Sequence, residues 1–253
     1  MKTLTGVIIA KNAEKMIPQA LESIAFCNEL IVVDNGSEDN TKQIALKHNA
    51  KVYEISSGDF YALRNLGLSK ATCDYILYID TDERVDEELK TNIKKILETR
   101  LKSKYSAFRL SRKNFYFGDH EWPYIEHLER LFVRENLEGW KGILHESPII
   151  KGEIGDMDGF LIHFTHMDLE SMLNKTIDWS DKEALLRYNQ NHPKMSWWRF
   201  PRVMFTAFFN SYISQRGYKA GTAGIVESMY QAFSMFITYA KLWELQQTMR
   251  YKK

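Results

Sequence analysis

Short apolar runs alternate with helical segments through the first hundred residues of this chain. Four runs rich in β-branched and aromatic residues are predicted to be strands, at residues 6–10, 30–33, 51–55 and 75–79. The segments between them carry apolar residues at helical spacing, and the connections are short. This alternation predicts an α/β fold, a mostly parallel sheet with right-handed crossovers that is flanked by helices.

Polar residues follow three of these strands. Asn12 follows the first strand, Asp34 follows the second, and Asp80 and Asp82 follow the fourth. Ligands of open α/β sheets bind beyond the carboxyl ends of the strands, so these side chains mark the expected site. Asp80 and Asp82 would point the same way along an extended chain, and two such carboxylates suit Mg²⁺ or Mn²⁺ bound to a diphosphate. The alternative is structural, with Asp82 capping a helix that begins near Val85.

The sequence changes character after the fourth strand. A helix is predicted over residues 85–101. Short strand-like segments follow it, at residues 106–110, 114–117, 129–133 and 149–150. From residue 169 onward the pattern is helical. We therefore predict one domain with an α/β core over residues 1–168 and a helical, aromatic-rich region over residues 169–253.

Composition argues against several classes of protein. The 253 residues carry a formal net charge of +1, which gives no electrostatic reason to expect nucleic acid as a partner. The two cysteines, Cys27 and Cys73, show neither metal nor redox spacing, so a reduced, cytoplasmic chain is expected. The first apolar run is too short for a signal peptide. No segment has the roughly 20 apolar residues that a membrane-spanning helix needs.

Other α/β enzymes fit the pattern less well. A dinucleotide-binding dehydrogenase would carry Gly-x-Gly-x-x-Gly after the first strand, and this chain does not. A sugar nucleotidyltransferase would carry a glycine-rich, basic first loop. A phosphatase of the haloacid type would place its Asp-x-Asp on the first strand, whereas here the motif follows several strand–helix units.

Three motifs of the first hundred residues occur together in a known family. They are VIIAKN at 7–12, VVDNGSED at 32–39, and Arg64-Asn65 followed by YILYIDTD at 75–82. In order and spacing they resemble the family-2 glycosyltransferases of the GT-A fold, which transfer a sugar from a nucleotide-sugar donor with inversion. The second half resembles the branch that includes lipopolysaccharide-core β-glucosyltransferases. That second resemblance rests on Arg130-Leu131-Phe132, on Trp140-Lys141-Gly142 before His145-Glu146, and on residues 209–241.

The resemblance implies which residues bind the donor, expected to be a UDP-sugar. The donor-binding residues would be Ala10, Asn12, Asp34, Arg64 and Asp80. Asp34 would accept a hydrogen bond from the nucleobase or a ribose hydroxyl. Asp82, with Asp80, would hold Mn²⁺ or Mg²⁺, which neutralises charge on the leaving diphosphate. The structural alternatives are a turn-stabilising Asp34 and a solvated helix charge at Arg64.

Inversion requires a base that takes the proton of the acceptor hydroxyl, and one carboxylate suffices. Glu146 is the candidate, because the family branch has its own His-Glu pair at this point. The reserve candidates are Asp119 and Glu121. His145 would bind the metal or orient Glu146, whereas His163 and His166 lack clustered ligands at metal spacing and are expected to be structural or to support the site from outside. A solvated loop charge is the alternative for Glu146.

The last third of the chain concentrates aromatic and basic residues. Seven aromatic side chains lie between residues 197 and 212, with Arg199, Arg202 and Arg216 among and after them. Helices docked on a core would bury these rings; helices on an anionic membrane surface would place them at headgroup depth. We expect the second, with the protein peripheral on the inner face of the cytoplasmic membrane.

The motifs and the resemblance together predict an inverting, metal-dependent glycosyltransferase, and the resemblance implies a role in cell-surface polysaccharide or lipopolysaccharide synthesis. Its acceptor would be a glycan or a lipid-linked molecule. The non-enzymatic alternative is a degenerate domain of the same fold that binds a glycan or scaffolds a membrane complex.

Overall fold

A computed structural model describes residues 1–56, 59–99, 104–142 and 146–248 of the chain. Their contacts define two compact units that interleave along the sequence. Unit 1 comprises Met1–Lys113 and Glu126–His163, and unit 2 comprises Asn114–Ile125 and Phe164–Lys253. The division into functional domains at residue 168 stays a prediction.

The described residues contain ten strands and seven α-helices. The strands are β1 (Leu4–Ala10), β2 (Glu29–Asp34), β3 (Lys51–Glu54), β4 (Tyr75–Asp80), β5 (Glu83–Val85), β6 (Ala107–Tyr116), β7 (His120–Val133), β8 (Leu137–Lys141), β9 (Ser147–Ile150) and β10 (Ile154–Phe164). The helices are α1 (Ile17–Ser23), α2 (Thr41–Lys47), α3 (Phe60–Lys70), α4 (Glu87–Glu98), α5 (Leu169–Asn189), α6 (Arg199–Phe209) and α7 (Gly221–Thr248).

Eight of the strands form one sheet in the order β3-β2-β1-β4-β7-β6-β10-β5. The first four are parallel to one another. Beyond them β7 pairs with β4 in the antiparallel direction, and β5 pairs with β10 in the antiparallel direction as well. β8 and β9 form a separate two-stranded antiparallel sheet. The predicted α/β fold is confirmed for the strand–helix half, and an antiparallel part extends the sheet past β4.

The central strand β1 is buried at every residue, because helices cover both faces of the sheet around it. Successive side chains of a strand point to opposite faces. Leu4 and Ile8 therefore pack with Leu21 of α1, whereas Val7 packs on the other face with Leu63 of α3. This two-sided burial is what a continuous apolar run in a parallel sheet predicts.

The start of α4 differs from the prediction. The helix expected from residue 85 begins at Glu87, because Val85 still belongs to β5, which pairs with β10. The N-cap of α4 is Asp86, whose carboxylate accepts the N–H of Leu89 at 2.7 Å. The structural alternative for Asp82, that it caps this helix, is therefore wrong.

The middle strands are longer than predicted. The segments at 106–110 and 114–117 belong to one strand, β6, and β7 begins at His120 instead of residue 129. Polar residues between the two segments favour a turn from the sequence alone. The charged Arg112 nevertheless lies within β6, because it forms ion pairs with Glu83 and Glu126.

Unit 2 contains the three C-terminal helices. A small apolar cluster joins Ala184 of α5 to Tyr239 and Leu242 of α7. In α6, by contrast, no residue is buried. Within the described ranges, no helix is both long enough and apolar enough to span a bilayer.

Candidate active site

The carboxyl ends of three parallel strands bring several predicted site residues together. Asp34 of β2 is paired in register with Ala10 of β1, and Asp80 of β4 is paired with Ile9. Neighbouring strands lie about 4.8 Å apart, so Asp34 and Asp80 flank the end of β1 at roughly 10 Å from each other. Ala10, Asp34 and Asp80 therefore share one edge of the sheet.

Asp34 ends β2 and stabilises the turn that follows. Its Oδ2 accepts the N–H groups of Gly36 at 3.1 Å and Ser37 at 2.9 Å. Its Oδ1 is buried and has no hydrogen-bond partner within the part of the chain that the structure describes. A buried acceptor left unpaired costs roughly 1–3 kcal/mol. The turn thus explains one oxygen of Asp34, and a hydrogen-bond donor from a ligand would satisfy the other.

Asn12 connects the loop after β1 to the loop after β2. Its backbone has a φ of 47°, in the left-handed region that asparagine tolerates. Its N–H donates to Oγ of Ser37 at 2.9 Å, and its side-chain oxygen accepts the N–H of Glu38 at 2.9 Å. Asn12 therefore shapes the sheet edge beside Asp34 through contacts within the protein.

Arg64 of α3 links two carboxylates that lie far apart in the sequence. Its Nη2 is 3.2 Å from Oδ1 of Asp80 and 3.2 Å from Oε1 of Glu146, and its Nε also donates to that Glu146 oxygen at 3.2 Å. Its guanidinium carbon lies 4.8 Å from the centre of the Trp140 ring. The side chain is only 4% exposed, so the interpretation of Arg64 as a solvated helix charge is wrong.

Asp80 is held by a second arginine as well. Its Oδ2 accepts a hydrogen bond from Nη2 of Arg130 at 2.7 Å, so each oxygen of Asp80 has its own arginine. Burial alone would raise the pKa of Asp80, but the charges of Arg130 and Arg64 outweigh burial and hold that pKa well below its ordinary range. Asp80 is therefore ionised at neutral pH.

Glu83 extends these ion pairs across the sheet. It is fully buried; its Oε1 lies 2.8 Å from Arg112 and 3.3 Å from Arg130, and its Oε2 accepts the N–H of Asp80 at 2.9 Å. The ion-pair network alternates in sign through Glu126, Arg112, Glu83, Arg130, Asp80, Arg64 and Glu146. Because four carboxylates meet three guanidinium groups, one negative charge is left over within it.

Asp82 lies beside a histidine of β10. Its Oδ2 is 3.2 Å from Nε2 of His163, and the two side chains are 31% and 12% exposed. The carboxylate is a ligand that suits Mg²⁺ or Mn²⁺, and the imidazole nitrogen this close to it could serve as a second donor to a transition metal. Among the described residues, no group of three or more His, Cys, Asp or Glu side chains could hold a metal ion. The pair fits a cation that takes its remaining ligands from water and substrate phosphates, as Mg²⁺ commonly does.

The other sequence candidates have different surroundings. His145 falls outside the described residues. His166 belongs to unit 2, where its Nδ1 lies 3.1 Å from Glu227. Asp119, also in unit 2, pairs with His120 at 3.0 Å, and both side chains are exposed.

The family model of glycosyl transferase family 2 matches residues 5–153. The chain belongs to glycosyl transferase family 2. The match includes Asp34, Arg64, Asp80 and Asp82, together with Glu146, so the sheet edge and the ion-pair network lie inside the family's own region. The predicted GT-A fold class agrees with this membership.

Two relatives of this glycosyltransferase align over nearly its whole length. An uncharacterized glycosyltransferase of Rickettsia typhi is 29% identical over 258 residues, covering 97% of this chain and 88% of the relative. The lipopolysaccharide core biosynthesis glycosyltransferase LpsC of Rhizobium meliloti is 25% identical over 260 residues, covering 95% and 92%. They confirm the predicted family and its lipopolysaccharide-related branch. Among solved structures, S. aureus TarS 1–349 in complex with UDP aligns with a TM-score of 0.49 at 14% identity, covering 99% of this chain and 92% of TarS.

Proposed function

We propose that this family-2 glycosyltransferase moves a sugar, with inversion, from a nucleoside-diphosphate sugar to a hydroxyl group of a glycan or lipid-linked acceptor. The donor is expected to be a UDP-sugar. The name of the R. meliloti relative supports a place in lipopolysaccharide or other cell-surface polysaccharide synthesis. The observation that carries the proposal is the contact of one buried guanidinium, that of Arg64, with both Asp80 and Glu146.

The donor nucleotide would bind along the end of β1. The buried Oδ1 of Asp34, which has no hydrogen-bond partner among the described residues, would accept an N–H of the nucleobase or a ribose hydroxyl. Nη1 of Arg64 is likewise buried without a partner in those residues. A guanidinium N–H of this kind suits an oxygen of the diphosphate. Ala10, the last residue of β1, and Asn12, in the loop after it, would contribute through their backbone.

Asp82 and His163 would hold Mn²⁺ or Mg²⁺. The cation, when bound, would neutralise negative charge on the leaving diphosphate. The left-over negative charge of the ion-pair network, with that of Asp82, favours a divalent ion at this edge. Both oxygens of Asp80 already accept a hydrogen bond from an arginine, so a cation there would share the carboxylate with Arg64 and Arg130. We therefore assign Asp80 to holding these arginines and contacting the donor, and its predicted role as a ligand stays a prediction.

Glu146 would act as the base on the acceptor side. Arg64 binds its Oε1 through both Nε and Nη2, which orients the carboxylate, and Oε2 would then face the acceptor. The acceptor oxygen attacks the anomeric carbon from the face opposite the diphosphate, and its proton passes to Glu146. The bond between the anomeric carbon and the diphosphate oxygen breaks, and its electron pair leaves with the nucleoside diphosphate.

Ligand binding and turnover test this proposal with variants of the full chain. Thermal unfolding is measured with UDP, GDP, TDP and CMP, each with and without Mn²⁺, because a ligand that binds the folded state raises the midpoint. We expect one diphosphate to raise it only with Mn²⁺, and Asp82→Ala to abolish that rise. The matched control is Asp156→Ala, which removes an exposed aspartate that pairs with Arg109.

Glu146→Gln tests the base separately. It should keep the nucleotide-dependent rise but lower release of UDP from a UDP-sugar by about a hundredfold or more. Glu153→Gln, an exposed glutamate paired with Lys104, is the control. Nucleotide binding without turnover in the wild type, across UDP-glucose, UDP-galactose and UDP-N-acetylglucosamine, would favour the degenerate scaffold instead.

Unit 2 would bring the enzyme to a membrane surface. Between Glu183 and Glu227 the chain has no Asp or Glu, whereas it carries six Lys and Arg residues. Within this stretch Trp197 is 82% exposed and Phe205 is 76% exposed. Exposed aromatic rings among cations without anions match a bilayer interface rich in anionic lipid. This proposal would place the transferase next to a lipid-linked acceptor.

A further inference from the structure

The β8–β9 hairpin is a small sheet of its own, apart from the eight-stranded sheet. A lone two-stranded hairpin is at best marginally stable in water. Glu146 directly precedes β9 in this hairpin, so the position of its carboxylate depends on what holds β8 and β9 in place. The contacts of β8 with the rest of unit 1 are therefore relevant to the reaction.

Asn65 of α3 binds the main chain of β8 with both ends of its side-chain amide. Its Oδ1 accepts the N–H of Trp140 at 2.8 Å, and its Nδ2 donates to the carbonyl oxygen of Trp140 at 3.0 Å. In the hairpin Trp140 is paired with Pro148, whose nitrogen has no hydrogen to donate. The Asn65 amide thus takes the place that the backbone of a third strand would fill.

Arg64, the residue before Asn65, holds the Glu146 end of the β8–β9 hairpin. Arg64 binds Glu146 and lies over the ring of Trp140. The Trp140 ring also packs edge-on against Tyr78, at 5.2 Å between centroids, and the Tyr78 hydroxyl donates to the carbonyl oxygen of Arg64 at 2.9 Å. Consecutive residues of α3 therefore hold the strand β8 and the carboxylate before β9.

The hairpin also leaves room for the Asn65 amide. Gly139 has a φ of +152°, and a Cβ at this position would come 3.1 Å from Oδ1 of Asn65. Residues with a side chain rarely adopt that backbone conformation, and any side chain at position 139 would press on the Asn65 amide. The fit between Asn65 and β8 thus depends on residues from both elements.

We propose that Asn65 is a positioning residue for glycosyl transfer. It acts through β8 on Glu146. The inference rests on the proposed role of Glu146 as the base. Since Arg64 of the same helix also contacts Asp80, α3 sets the distance between the donor site at the end of β4 and the carboxylate of Glu146.

Hydrogen exchange of the full chain tests the clamp without any substrate. In Asn65→Ala the amide of Trp140 should exchange about tenfold faster or more, because it loses its acceptor, while the amides of β1 and β4 keep their protection. Asn92→Ala is the matched control, since Asn92 of α4 donates to the carbonyl of Asp158 at 3.1 Å in the same way. Unchanged exchange over residues 137–142 in Asn65→Ala would overturn the proposal.

A second variant covers the case in which Asn65→Ala does not fold. Gly139→Ala keeps Asn65 and presses on its amide from the hairpin side. Faster exchange at residue 140 with intact protection in β1 supports the clamp, and unchanged exchange there counts against it.

A double-mutant cycle then separates positioning from a general loss of structure. Release of UDP is measured from UDP-glucose, UDP-galactose and UDP-N-acetylglucosamine with Mn²⁺, with water as the acceptor of the sugar. Asn65→Ala should lower kcat by about tenfold and leave the donor KM within about twofold. In a Glu146→Gln background the same change should have an effect below about twofold, because both residues act through one carboxylate.

An equal loss in both backgrounds would overturn positioning through Glu146. A wild type that releases no UDP would instead count against the proposed function. The exchange measurement would still decide whether Asn65 holds β8.

Discussion

Nε2 of His163 lies 3.2 Å from Oδ2 of Asp82, although His163 belongs to β10 and Asp82 to the turn after β4. If the two side chains share a cation, the response to Mn²⁺ should need both. We expect Asp82→Ala to abolish Mn²⁺ binding and His163→Ala to weaken it by about tenfold or more. Mn²⁺ titration followed by electron paramagnetic resonance measures both. His48→Ala is the control, and equal Mn²⁺ affinity in His163→Ala would refute a shared site.

Removal of Arg64 should destabilise the fold as well as the site. Without it Glu146 loses its cation and Asp80 keeps only Arg130, so we expect Arg64→Ala to lower the free energy of unfolding by about 3–5 kcal/mol. Urea titration measures this loss. Arg109→Ala removes a partly exposed arginine from surface ion pairs with Glu129 and Asp156, and should cost less than about 1 kcal/mol. If Arg64→Ala and Arg109→Ala lower the free energy of unfolding by similar amounts, burial of Arg64 does not make its ion pairs more important for stability.

Glu29 should make stability depend on pH under acid conditions. It accepts hydrogen bonds from Thr5 at 2.6 Å, from the N–H of Thr72 at 2.9 Å and from Lys51 at 2.9 Å. Burial would raise the pKa of Glu29, but these bonds outweigh burial and lower the pKa from 4.5 to about 2. The unfolded chain therefore binds this proton first, so the contribution of Glu29 is present above pH 4.5 and is lost as the pH falls toward 2.

Glu29→Gln removes this contribution. At neutral pH the free energy of unfolding should fall by about 2 kcal/mol, the typical worth of hydrogen bonds to a charged group. The decline of stability below pH 4.5 should become shallower than in the wild type. Glu54→Gln, at an exposed ion pair with Lys42, should change neither quantity measurably. An acid decline identical to that of the wild type would rule out Glu29 as its source.

Gly67 allows α3 to pack closely on β1. A Cβ at this position would lie 2.6 Å from Cγ1 of Val7, in the middle of a buried face. Gly67→Ala should therefore lower the free energy of unfolding by about 1–3 kcal/mol, measured in urea. Because α3 carries Arg64, UDP release should fall too. Ser69→Ala, on the exposed side of the same helix, is the control, and a neutral Gly67→Ala would show that α3 can shift outward freely.

The exposed face of α6 should decide membrane binding. Phe205→Asp and Phe209→Asp each place a carboxylate among the aromatic rings, and we expect each to abolish flotation with vesicles of phosphatidylglycerol and phosphatidylcholine. Leu46→Asp alters an apolar residue of α2 that is about as exposed as Phe209, at 59% against 58%, and should float like the wild type. The wild type should not float with pure phosphatidylcholine. Failure of the wild type to float with the anionic vesicles would count against membrane binding by α6. A dimer detected by light scattering would also count against it, if this face is buried in the dimer.

The sequence predicted the parallel part of the fold because three of its four strands, β1, β2 and β4, contain an uninterrupted apolar run. The full lengths of β6 and β7 were not predicted, because charged residues within a strand indicate a turn unless their partners are known. The partners of Arg112 are Glu83 and Glu126, and no local pattern connects them.

The candidate site divides in the same way. Asp34 and Asp80 could be predicted because each directly ends a strand. The place of His163 could not be predicted, because it depends on the register of β5 and β10, which sets His163 opposite Glu83, the neighbour of Asp82. Glu83 itself, one glutamate beside two aspartates, gave no signal of its complete burial.

The alternating ion pairs also limit how such a chain can diverge. Asp80 and Glu83 belong to the strand–helix half, whereas Arg112 and Arg130 come from the antiparallel strands that follow it. A recombination that joined the first hundred residues of one relative to the second half of another would leave the buried Glu83 without a cation, and Asp80 with Arg64 alone, unless both arginines came along. The halves of this sheet are therefore expected to be inherited as a single block.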